Sequence, residues 1–127
     1  MAIEMPNYIE RRQPGPKHPR QILLETAAVL LERTNHKIQG NVFTVNSAGE
    51  NMFSYTFYLM APDLDDYSIP LFYAWHGLNA YPVYIKTEHG QAQKMPSVDH
   101  LVTHLSELFA GEYATDLIQS ILKALNE

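Results

Sequence analysis

The chain has 127 residues, enough for one domain with a proper core. It contains no cysteine, which excludes disulfides, thiolate metal sites and a cysteine nucleophile. Nine Lys and Arg against fourteen Asp and Glu give a net charge of −5, the wrong balance for a dedicated nucleic-acid binder.

No apolar run is long enough for a membrane span, and no charged start is followed by an export-type apolar region. The expectation is a cytoplasmic protein with no membrane and no nucleic-acid partner. Residues 1–18 differ from the rest. They hold Pro6, Pro14 and Pro16 with Gly15, and basic Arg11, Arg12 and Lys17 against Glu4 and Glu10. Proline at this density forbids a helix or a central strand, so an extended, basic arm is expected beside an acidic body. Ile3, Met5, Tyr8 and Ile9 would be its apolar anchors. The domain proper is read as residues 19–127.

A first helix is predicted from Pro19 or Arg20 to Asn35. Proline suits the first turn, and Ile22, Leu23, Thr26, Ala27, Leu30 and Leu31 make one stripe. Residues 41–46 then read as a strand, closed by a turn at 47–51. Residues 52–61 alternate without glycine or proline, with Phe53, Tyr55, Phe57 and Leu59 on one face and Tyr58 and Met60 on the other. Residues 67–76 alternate again, placing Ile69, Leu71, Tyr73 and Trp75 against Phe72, Ala74 and His76. Pro70 within this run belongs near the strand start, at a bulge or on an edge. Residues 81–86 are the fourth strand, with Tyr81, Val83 and Ile85 against Tyr84 and Lys86. Residues 88–95 read as a loop.

Ser97 is the expected N-cap of a second helix, with Asp99 in its first turn and a stripe running through Val98, Leu101, Val102, Leu105, Leu108 and Phe109. Gly111 suits its C-terminal cap. A third helix over 112–125 follows at once, forming a tight helical corner. The fold class is α+β: a four-stranded antiparallel meander packed by one N-terminal and two C-terminal helices, in the order α-β-β-β-β-α-α.

Two apolar sheet faces need two covers. Helices on one side leave Tyr58, Met60, Phe72 and Tyr84 on the other, and such a patch is usually covered by a partner. With Tyr8 and Ile9 of the arm these residues are the expected interface of a homodimer, or of a contact with another protein. Helices on both faces of a curved sheet are the alternative. A second function is a ligand pocket between sheet and helices lined by Tyr55, Tyr73, Trp75, His76 and Tyr81, aromatic groups that bury area and keep polar tips. A third is a hydrolase using His76 at a strand end, with Asp65 or Asp66 beside it.

Other chemistry is thinner. His100, His104 and Glu107 share a helix face at zinc-compatible spacing, but the sequence around them is not that of a zinc protease and the face is polar. Asp63, Asp65 and Asp66 lack the glycine and distal glutamate of a calcium-binding EF-hand loop. No nucleotide-binding glycine motif is present, and no cofactor is expected. Leu64, Asp65, Asp66 and Tyr67, with Leu71 and Phe72, His76 and Gly77, and Tyr81, Pro82 and Val83, resemble a pattern of small uncharacterised bacterial proteins carried by mobile elements such as integron cassettes and phages. The resemblance implies an accessory bacterial protein and transfers no functional residue.

Overall fold

The computed structural model describes residues 3–5, 7, 15–47 and 51–126, without the side chains of residues 46 and 47. Tyr8, Ile9, Arg11 and Arg12 lie outside the described residues. Ile3 and Met5 are exposed.

Chain order is α1 (Pro19–Arg33), β1 (Gln39–Ser47), β2 (Met52–Ala61), β3 (Tyr67–His76), β4 (Val83–Lys86), β5 (Gln93–Met95), α2 (Val98–Ala110) and α3 (Glu112–Ala124), with a short 3-10 turn at Pro62–Leu64. The strands form one antiparallel sheet in sequence order, a meander of five strands instead of four. The fifth, β5, pairs with the free edge of β4 and buries only Met95. Three residues are too few for an alternation to register. β4 begins at Val83, two residues later than expected, because Pro82 has no N–H for a ladder.

Helix ends follow their local chemistry. The imidazole Nδ1 of His18 accepts the Arg20 N–H at 3.1 Å and caps α1, with Pro19 opening the first turn. The Ser97 hydroxyl accepts the His100 N–H at 3.4 Å and caps α2. Gly111 does end α2, but in an extended conformation, so the same residue also starts α3.

All three helices pack on one face. Phe57, Leu59 and Ala61 of β2, Val83 and Ile85 of β4, Leu23 of α1, Leu101 of α2 and Ile121 of α3 belong to one buried cluster. Gly40 lets α1 approach. A methyl group there would lie 2.6 Å from the Phe57 ring and 2.8 Å from the Ala27 side chain, so any side chain at residue 40 would push the helix off the sheet.

One irregularity sets the identity of both faces. Phe57 pairs with Phe72, yet the next residue, Tyr58, pairs with Pro70. Leu71 is the extra residue of a β-bulge, and alternation restarts one position out of step. Leu71, Phe72, Ala74 and His76 are therefore buried, while Tyr73 and Trp75 turn to the other face. Pro70 sits beside this bulge, in the half of β3 that β4 does not reach.

Candidate functional site

The face opposite the helices is built from alternate residues of each strand. Registered rows run from Asn41 through Tyr58 to Pro70, from Phe43 through Thr56 and Tyr73 to Lys86, and from Val45 through Ser54, Trp75 and Tyr84 to Lys94. None of these side chains belongs to the buried cluster. Phe43 and Val45 are 56% and 51% exposed. The rings are ordered against one another: Trp75 stacks on Tyr84 with centroids 5.8 Å apart, and Phe43 meets Tyr58 edge-on at 5.2 Å. Asn41 Nδ2 donates to the Met60 sulfur at 3.2 Å.

The electrostatics of this face differ from those of the chain. Its only charged residues in the registered rows are Lys86 and Lys94, both toward the β4–β5 side. Among the described residues, most carboxylates lie instead on the helices (Glu25, Glu32, Asp99, Glu107, Glu112, Asp116) and in loops (Asp63, Asp65, Asp66, Glu88). Among the described residues, the registered rows of this aromatic sheet face hold no carboxylate.

Of the expected interface residues, Tyr58, Met60 and Tyr84 lie on this face. Phe72 does not: it is fully buried, its ring 4.9 Å from that of Phe57 and nearly parallel to it, because the bulge turned it inward. Phe43, Val45, Tyr73 and Trp75 take part where sequence reasoning did not place them. For β1 the signal was present, since Phe43 and Val45 are spaced by two.

The five residues expected to line a pocket are divided between the faces. Tyr73 and Trp75 point outward. Tyr55, His76 and Tyr81 gather on the helical side, where they hold the start of α1. The Tyr81 hydroxyl donates to the Lys17 carbonyl at 2.8 Å, and His18 meets His76 edge-on with centroids 5.1 Å apart. A cavity of about 570 Å³ does open, but between α1 and the α2–α3 pair, and none of the five lines it.

His76 is a buried structural group. Its Nδ1 lies 2.7 Å from the Gly77 carbonyl, which can only accept, so Nδ1 carries the proton. Nε2 then accepts from the Tyr55 hydroxyl at 2.9 Å. Phe53 and Tyr55 stack against the ring. Burial pushes the His76 pKa below its ordinary value, the bond to Gly77 opposes this, and His18 adds to the lowering. Burial likewise raises the Tyr55 hydroxyl, with Arg20 acting in the opposite direction. Both ring nitrogens are engaged and the side chain is closed to solvent. Asp65 and Asp66 lie at the far end of β3, about 30 Å away at the usual rise per strand residue. They cannot assist His76 as an acid or base.

A pH dependence follows. An imidazole kept neutral in the fold but free to protonate when unfolded stabilises the protein fully above pH ~6.5. Its contribution falls as pH drops through that value, by at most about 1.4 kcal/mol per pH unit, and levels off below the folded pKa. Urea unfolding of the wild type should therefore show lower stability at pH 5.5 than at 7.5, with a smaller difference in His76→Phe. An equal difference in both proteins would assign the effect to the other histidines.

Two of the remaining polar groups have local partners. The His100 Nδ1 lies 2.6 Å from the Ser97 hydroxyl, and no group of three His, Asp or Glu able to hold a metal ion occurs among the described residues. Asp63 pairs with Lys37 at 3.7 Å, whereas Lys17 turns away from the acidic loop to pair with Glu25 at 3.1 Å.

The molecule is an α+β protein whose described helices lie on one face of an antiparallel sheet, and no described helix is long and apolar enough to cross a membrane. No protein family, curated protein or solved structure matches the chain.

Proposed function

We propose that this chain is a non-enzymatic binding protein that self-associates, two copies meeting through their open sheet faces. The observation that carries the reading is the outer face itself: half-buried and exposed aromatics in rows that hold no carboxylate among the described residues, in a chain of net charge −5. Two acidic copies repel wherever their helical layers meet. The sheet face is where they approach with less repulsion while burying apolar surface. Lys86 and Lys94, displaced to one side, fit the rim of such a contact.

Size sets the expected strength. The face measures roughly 20 by 20 Å in plan from standard strand spacings, which places it at the low end of specific interfaces. The expected dimer is accordingly of micromolar order and dissociates on dilution. Light scattering after size exclusion should give twice the 14.5 kDa chain mass at high concentration and a fall toward one chain on dilution. A single-chain mass at every concentration would sink the proposal.

A further inference from the structure

The helical layer is not closed. α1 lies over β1 while α2 and α3 pack on each other, and a half-open groove of about 570 Å³ separates them. Ile22 and Leu30 form one wall, and Leu105, Phe109 and Leu122 the other. Its hydroxyl groups do not make it polar, because each is spent on helix backbone. Thr26 donates to the Ile22 carbonyl at 2.8 Å, Ser106 to that of Val102 at 2.9 Å, and Thr115 to that of Phe109 at 3.4 Å.

The charges along the groove are unequal in what they have left to offer. Glu25 is neutralised by Lys17, with both carboxylate oxygens 3.1 Å from the ammonium. Arg33 has no carboxylate within ion-pair distance among the described residues. The groove therefore combines apolar walls with a guanidinium that has no carboxylate partner among the described residues, a planar group whose paired N–H donors match a carboxylate. Its volume lies within the ordinary range for small-molecule sites, and its lining surface is mostly apolar, as such sites present, although Gln119 and the hydroxyl residues also border it.

We propose that this groove binds a medium-chain carboxylate, the hydrocarbon chain lying between α1 and the α2–α3 pair and the carboxylate held by Arg33. The site is on the helical side of the sheet and stands independently of self-association through the other face.

Titration calorimetry with decanoate, decanol and decyltrimethylammonium, each below its micelle concentration, tests this on the full chain. Decanoate should bind saturably at one per chain and about tenfold more tightly than decanol, the margin of a charge-assisted pair. The decyltrimethylammonium cation should bind more weakly than either. Arg33→Gln should cost decanoate about the same tenfold and leave decanol unchanged. Val102→Trp, which fills the groove, should abolish binding of both. Should that variant fail to fold, the ligand series and Arg33→Gln decide alone. Absence of saturable binding, equal affinity for decanoate and decanol, or indifference to Arg33→Gln overturns the proposal. So does a Val102→Trp variant that loses oligomeric mass while the wild type takes up no decanoate, since the groove would then belong to a second copy.

Discussion

Phe72→Ala is expected to lower the unfolding free energy by about 3–5 kcal/mol, the usual cost of truncating a buried aromatic ring. The ring is fully buried, stacked at 4.9 Å on Phe57, and Phe57 in turn meets Phe109 of α2 edge-on at 5.9 Å. Removing it leaves a cavity in the middle of the sheet–helix contact and withdraws one partner from a three-ring chain joining β3 to α2. Against a total stability of roughly 5–15 kcal/mol for a small domain, that loss is a large fraction. Urea unfolding followed by circular dichroism and by Trp75 fluorescence measures it. A loss under about 1 kcal/mol, as for an exposed position, would mean that β3 pairs without the bulge and that Phe72 faces outward.

The second large effect is on assembly. Thr56→Lys together with Tyr58→Lys should weaken the proposed dimer at least about 100-fold, because like charges brought face to face cost several kcal/mol. Both residues lie on the open face, between Phe43 and Tyr73 in one row and between Asn41 and Pro70 in the next. The new charges have the sign of Lys86 and Lys94, so no carboxylate in those rows can neutralise them. The cost to the monomer is small by comparison. The edge contact of Tyr58 with Phe43 is lost, worth about 0.5–1.5 kcal/mol, and no buried side chain is disturbed. Light scattering should report a single chain whose unfolding remains cooperative. A variant that keeps its dimer mass would move the interface elsewhere. One that unfolds would show that these residues support the fold.

Most of the architecture was legible in the sequence because local rules and tertiary packing agree there. The α2 stripe, Ser97 before it and Gly111 after it all point to one helix, and the uninterrupted ten residues of β2 carry one alternation from end to end. Where local and tertiary signals part, sequence reasoning fails for physical reasons. Pro70 offers a bulge as one of three places for a proline in a strand, but a bulge is a relation between two strands, so nothing within β3 decides among the three or shows that Leu71 is the unpaired residue. That hidden residue exchanged Phe72 for Tyr73 and Trp75 on the open face, dispersing the expected pocket and altering the expected interface. β5 exists because β4 has an edge to offer, not because Gln93, Lys94 and Met95 have a periodicity. His76 stood out as a histidine at a strand end. Its partners Tyr55 and His18 come from elements distant in sequence, and their closure around the ring cannot be read from spacing.

The most direct test of the open face as the site of self-association uses the only tryptophan, which lies on it. Acrylamide quenching of Trp75 should be measured alongside mass over a range of protein concentrations. If the account holds, the half-buried indole becomes harder to quench as the mass doubles, with both curves sharing one midpoint. Mass that doubles while Trp75 remains equally quenchable would contradict it, placing the contact on another surface of the molecule.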